Sequence, residues 1–286
     1  MTVVILGAEG QLGRALSDLL PWATLLDRNR LDITDAVAVA NYDWSDATSV
    51  INAAAYTNVD AAETPRGGRI ARAVNASAVG YLAEAATKHG FPLVHLSSDY
   101  VLDGKSARPY TETAPMAPLN VYGATKAAGD ELAAATPKHY IVRTAWVIGD
   151  GPNFVRTMVD LGRRGVSPTV VADQIGRPTF TSTLADGIVH LLETRAPYGT
   201  YNLTNCGPLV TWAGLARRIF AHKGYDLPVA SQTSKEYYAD KPEAAQRPHY
   251  SALDNAAIKA TGFTPGDWQP ALEAYLTGAT IKTNSS

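Results

Sequence analysis

The sequence predicts an α/β fold in which a doubly wound parallel sheet carries a smaller mixed α/β lobe. Short apolar runs alternate with longer alanine-rich helical stretches, and a glycine-rich turn closes the first run. Every motif with chemical content falls at the carboxyl end of such a run. Sheets of this kind bind ligands there.

Apolar patterning predicts strands over residues 2–6, 23–26, 49–54, 92–97 and 139–143, with further candidates at 170–172 and 199–203. Helices are expected over 11–20, 70–89, 122–135 and 270–278. Past Trp146 prolines and glycines scatter and strands become hard to place. Residues 1–146 therefore read as a dinucleotide-binding unit. Residues 147–286 read mainly as a substrate-binding lobe, with some segments returning to the first unit. The tail Thr283–Ser286 is expected to fray.

Composition narrows the function classes. The chain has 286 residues, 46% hydrophobic and 18% charged, as in an ordinary globular protein. A net charge of -2 supplies no basic field for nucleic acid or acidic lipid. Cys206 is the single cysteine, so no internal disulfide is expected, and no metal-ligand spacing surrounds it. No apolar stretch approaches the ~20 residues that span a bilayer, and the first run has no basic lead. A cytoplasmic location is the expectation.

The turn Gly7-Ala-Glu-Gly10-Gln11-Leu12-Gly13 follows the first strand and opens a helix. Glycines let the backbone turn tightly and approach a pyrophosphate, to which the helix N-terminus offers N–H donors. The junction reads as a Rossmann-type dinucleotide site. After the second run, Asp27 suits a ribose 2′-hydroxyl and Arg28 suits a 2′-phosphate, so NADH and NADPH both stay open. Asp32 and Ile33 are candidates for the adenine pocket, although Asp32 reads equally well as a helix N-terminal acid. Ala54, Ala55 and Tyr56 follow the third run, where small residues permit close approach to a cofactor.

The fourth run ends in Ser97-Ser98-Asp99-Tyr100-Val101, and Pro118-Leu-Asn-Val-Tyr122-Gly-Ala-Thr-Lys126 comes next. Tyr122 and Lys126 share a helical face. Carbonyl reduction needs a proton donor at oxygen as hydride reaches carbon. An ammonium ~4 Å from a phenol, at an effective dielectric of ~20, favours phenolate by about 4 kcal/mol. That is roughly three pKa units, enough to bring a tyrosine toward neutrality, with desolvation opposing it. Ser98 is a second donor to the same oxygen.

These residues resemble the extended short-chain dehydrogenase/reductases, and among them the dTDP-4-dehydrorhamnose reductases. The resembling stretches are Gly7–Gly13, Val50–Asp60, Ser97–Val101, Ala117–Lys126, Arg143–Trp146, Asp173–Thr179 and Arg247–Asp254, in order along most of the chain. The resemblance implies that Tyr122 is the acid and Lys126 its partner and ribose ligand. It implies that Asp99 and Tyr100 contact substrate beside Ser98, that Trp146 borders the sugar, and that Gln174 helps form the nucleotide-sugar pocket. The family reduces C4 of dTDP-4-dehydro-β-L-rhamnose in dTDP-rhamnose biosynthesis, usually with NADPH and sometimes with NADH. Some bacterial members carry a glutamate two residues after the third glycine, which helps bind Mg²⁺ at a dimer interface. Ala15 stands at that place, so no metal is expected, and a monomer and a homodimer both stay open.

Related enzymes and a non-enzyme compete with this reading. Dehydratases of the superfamily use an adjacent Asp-Glu pair, whereas here Asp99 is followed by Tyr100, which lacks the carboxylate needed for elimination. A 4-ketoreductase for another dTDP-deoxysugar stays open. So does a non-catalytic subunit like the regulatory subunit of methionine adenosyltransferase, which resembles the same reductases.

Overall fold

The computed structural model describes residues 2–241 and 243–278, so the tail Thr283–Ser286 lies outside the described residues. Six parallel strands form the central sheet: β1 Thr2–Leu6, β2 Thr24–Leu26, β3 Ala47–Asn52, β4 Leu93–Ser98, β5 His139–Thr144 and β6 Gly199–Asn202. Their spatial order is β6-β5-β4-β3-β1-β2. The chain runs outward from β1 to β2, then crosses back to pair β3 on the other side of β1. The carboxyl ends of β1 and β3 thus flank the switch point, where open α/β sheets form their binding crevice.

Alternation along the strands builds two cores. Val3 and Ile5 of β1 face one cluster, joined by Leu12 and Leu16 of helix α1 (Gln11–Leu19) and by Leu184 and Ile188 further along the chain. Val4 and Leu6 face the other cluster, with Val39 of helix α2 (Ala36–Asn41) and Trp44. That period of two is what a strand buried on both faces requires.

The stretch expected as one helix over 70–89 is broken into three. Helix α3 spans Pro65–Arg72, a π-turn covers Ala73–Ser77, and helix α4 spans Ala78–His89, packing Leu82 and Ala86 onto the sheet. The wide turn swings Asn75 into the interior. There its Oδ1 accepts from Tyr56 N at 2.9 Å, and its Nδ2 donates to Thr125 Oγ1 at 3.1 Å. Such single π-turns mark places where a helix is bent to serve a site. Helix α5 (Val121–Ala134) lies against this turn, close enough that a Cβ on Gly129 would sit 2.1 Å from the Asn75 carbonyl oxygen.

Helix α6 (Thr181–Glu193) and β6 come from the carboxyl-terminal half and join the sheet. Three further helices of that half, Phe154–Arg163, Trp212–Lys223 and Trp268–Thr277, enclose a separate cluster around Phe180, Ile219, Phe220 and Trp268. Among the described residues no helix is long and apolar enough to cross a membrane.

The glycine turn is sterically obligatory. Gly7 has φ +73°, and a Cβ there would lie 2.6 Å from Ala54 N. A Cβ on Gly13 would lie 2.2 Å from the Gly7 carbonyl oxygen. Gly13→Ala should therefore push α1 off β1 and destabilise the protein by about 1–3 kcal/mol, as overpacked cores do. Urea unfolding measures this, and an unchanged midpoint would contradict the tight packing.

Candidate active site

The site forms where α5 crosses the carboxyl end of β4. Asn120 caps α5, its Oδ1 accepting from Gly123 N at 2.7 Å, and Glu63 Oε1 accepts from Val121 N at 2.8 Å. These bonds satisfy N–H groups that a helix start leaves unpaired. Tyr122, Lys126 and Asp130 then follow at four-residue spacing on the buried face.

Lys126 is 1% exposed. Its Nζ donates to the Leu96 carbonyl at 2.6 Å and stands 3.4 Å from His95 Nε2, both on β4. Burial draws the amine down to about 8, with Asp130 opposing. Behind it, the Asp130 carboxylate accepts from Arg143 Nε at 3.0 Å. His95 is held below the ordinary histidine range, first by burial and then by Lys126, so its ring is neutral beside Asn52 Nδ2.

Tyr122 is buried, with its ring set edge-on to Tyr100 at a 5.3 Å centroid distance. Burial first, and the Asp99 carboxyl second, push its phenol up to about 12, while the Ser98 hydroxyl facing it pulls the other way. The expected fall toward neutrality is therefore corrected. The Lys126 ammonium gives its short hydrogen bond to Leu96 O, and desolvation dominates the phenol.

Ser98 Oγ donates to Asp99 Oδ1 at 3.0 Å and accepts from Tyr100 N at 3.2 Å. Asp99 is buried, and burial lifts its carboxyl to about 6 against the hydroxyls of Ser251 and Ser98. Tyr100 lies between Tyr122 and Arg247, and burial raises its phenol strongly.

The residues expected to hold a dinucleotide lie beyond the carboxyl ends of β1, β2 and β3. Gly7, Gly10 and Gly13 close the turn, Gly10 N donating to Gly7 O at 3.0 Å. Leu12 is buried in the core, and Gln11 accepts from Gly149 N at 2.9 Å and donates to Pro152 O at 3.2 Å. Ala54 N donates to Asn52 Oδ1 at 3.2 Å, and Ala55 leads to the Tyr56 amide held by Asn75. Beyond β2, Asp27 Oδ1 accepts from Arg30 N at 2.8 Å. The exposed Arg28 pairs with Asp32 at 3.2 Å, Asp32 also binds Thr34, and Ile33 is buried in the core.

Trp146 and Gln174 make different contacts. Trp146 takes the left-handed conformation at φ 50°, rare for a bulky side chain. Its indole stacks on Trp212 at 3.6 Å and fills the space that a Cβ on Gly176 would need. Gln174 is buried and donates to Ser234 Oγ at 3.1 Å, with Tyr238 adjoining it.

The reading of single motifs missed His95, Asn75, Asp130, Asp60, Tyr238 and Arg247. Asp130 had a signal, its four-residue spacing after Lys126. Asp60 and Arg247 meet across 187 positions, which no local pattern announces.

Asp99 carries a pH signature. Its folded pKa lies above the ordinary 3.8, so the folded state holds the proton more tightly and loses stability as pH rises from about 4 to about 6. Asp99→Asn removes that loss. Its stability advantage over the native chain should grow across this window to about 3 kcal/mol and then level off. Melting curves from pH 4 to 8 measure it, and a constant gap would contradict the buried, desolvated carboxyl.

Comparison with known proteins agrees with this geometry. A family model described as the RmlD substrate binding domain matches residues 1–281. The dTDP-4-dehydrorhamnose reductase of Aggregatibacter actinomycetemcomitans is 40% identical, over 95% of this chain and 97% of its own. The dTDP-4-keto-6-deoxy-D-glucose reductase of Streptomyces niveus is 38% identical over 94% of each chain. Among solved structures, the dTDP-4-dehydrorhamnose reductase of Bacillus anthracis in complex with NADP superposes with a TM-score of 0.87. It is 34% identical over 98% of this chain and 99% of its own. With a buried tyrosine–lysine pair standing over a parallel sheet and this likeness along nearly its whole length, the chain belongs to the dTDP-4-dehydrorhamnose reductase family of NAD(P)-dependent oxidoreductases.

Proposed function

We propose that this protein reduces the C4 keto group of dTDP-4-dehydro-β-L-rhamnose to give dTDP-L-rhamnose, with Tyr122 donating the proton. The observation that carries the reading is the Tyr122 phenol, buried beside Ser98 one helical turn before the anchored Lys126.

The turn fits a dinucleotide. Its close Gly7–Ala54 and Gly13–Gly7 approaches leave backbone N–H groups and the start of α1 free of side-chain bulk. NADPH is the favoured cofactor, in line with the complex of the Bacillus anthracis relative, and supplies the hydride when bound. Gln11 and Leu12 sit at the amide-rich start of α1, and Tyr56 offers a backbone held by Asn75.

Tyr122 gives its proton to the carbonyl oxygen as that oxygen becomes an alkoxide, a far stronger base than phenolate. A phenol raised to about 12 stays protonated at neutral pH and is ready to donate. Ser98, its hydroxyl turned away from Asp99 Oδ1, donates a hydrogen bond to the same oxygen. Lys126 keeps positive charge beside the phenolate left behind. Asp99 and Tyr100 border the substrate, and Trp146 and Gln174 belong to the wall on its sugar side.

A 4-ketoreductase acting on another dTDP-deoxysugar is the second reading, favoured by the substrate in the name of the Streptomyces niveus relative. Elimination is disfavoured, because Tyr100 stands where a base is needed and burial keeps it protonated. An NADPH oxidation assay across several dTDP-4-keto sugars decides among these. Cofactor binding without turnover of any of them would point to a regulatory subunit instead.

Tyr122→Phe should lower kcat by at least about 100-fold, the contribution of a placed general acid, and leave NADPH affinity nearly unchanged. Wild-type turnover in that variant would remove Tyr122 from its role. The Lys126 ammonium is present below about pH 8 and lost above it. Log kcat/KM should therefore fall above about pH 8, and Lys126→Ala should weaken both rate and cofactor affinity. A flat profile to pH 10 would sink the assignment.

A further inference from the structure

We propose that Asp60 is a positioning residue that latches residues 245–247 to the catalytic helix and so holds the sugar-side wall of the site. The Asp60 carboxylate accepts both terminal nitrogens of Arg247, Nη1 at 2.5 Å and Nη2 at 2.8 Å. The same Oδ1 accepts from Ala245 N at 3.1 Å, and Arg247 Nη1 turns back to the Ala245 carbonyl at 2.6 Å. Between them, the Gln246 carbonyl accepts from Asn120 Nδ2 at 2.7 Å.

Asn120 joins two duties in one amide. Its oxygen caps the helix that bears Tyr122, and its nitrogen holds the strap. The segment that carries Asp60 does the same from below. Glu63 binds the first amide of the catalytic helix, while Asp60 holds Arg247. On its inner side Arg247 lies near Tyr100 and Tyr238, whose neighbours are Tyr122 and Gln174 respectively. One bidentate pair therefore fixes where the sugar-side residues stand relative to the proton donor.

The chemistry fits positioning better than stability. Arg247 is largely covered but Asp60 is half-exposed, and an ion pair open to solvent on one side contributes only modestly to folding. A planar guanidinium on a carboxylate nevertheless fixes orientation, which a lysine at this place cannot do. The inference rests on the proposed reduction for its substrate side, but not for the latch itself.

The test uses the full chain with Asp60→Ala, Arg247→Lys and the swap Asp60→Arg/Arg247→Asp. Amide exchange is followed across residues 243–249, and steady-state kinetics across sugar concentrations. Asp60→Ala should speed exchange at Ala245 and Gln246 and raise KM for the nucleotide sugar roughly tenfold. kcat should stay within about threefold, NADPH affinity should hold, and the melting temperature should move by only a few degrees. Arg247→Lys should give a milder form of the same split, and the swap should recover part of the KM. Unchanged exchange would overturn the latch. Faster exchange with unchanged KM, or joint collapse of kcat, NADPH affinity and melting temperature, would overturn the positioning role. Should the native enzyme turn over none of the sugars, the proposed function fails while the exchange data still decide the latch.

Discussion

The seating of helix α5 on strand β4 governs the rest of the structure. Gly129 lets the helix touch the Asn75 carbonyl, and Lys126 plants its amine on the Leu96 carbonyl. A side chain at Gly129, or a straight α-helix through Asn75, would lift α5 away from the sheet. Tyr122 would then leave the crevice, and the Tyr56 backbone would lose its partner. The π-turn is thus the local distortion that permits close packing, and close packing places Tyr122.

Close packing also decides the electrostatics. Charge attraction alone suggests an acidic phenol beside an ammonium. Once both groups are buried, desolvation raises the phenol and lowers the amine, and the nearest carboxyls act in the same directions on the phenol and against the trend on the amine. For a reductase this is serviceable. A phenol raised to about 12 stays protonated at neutral pH, the form that the proposed proton transfer needs. Asp130 favours the Lys126 ammonium, but it is itself paired with Arg143, and burial prevails.

The carboxyl-terminal half divides its work. Strand β6 extends the sheet and helix α6 packs on it, while Trp146 stacks on Trp212 and lies against Gly176. Trp146 is held left-handed there, a conformation that persists only where surrounding contacts enforce it. Arg247 closes the ring by reaching back to Asp60 in the first half of the chain.

The amino-acid order alone determined the parallel sheet, the glycine turn, and the Tyr122–Lys126 pair with Ser98 at a strand end. Each of these is written within about ten residues, as a period of two, a period of 3.6, or a glycine that only one backbone shape demands. The break at Asn75 was not legible, because alanine-rich sequence suits an unbroken helix and its reason lies fifty positions away in Thr125. Helix α6 and its neighbours were obscured by threonine, glycine and histidine that favour no single element. The proton affinities of Tyr122 and Lys126 and the meeting of Asp60 with Arg247 belonged to tertiary structure alone. Burial and long-range pairing depend on which distant residues exclude water from a point in space, and no local pattern carries that information.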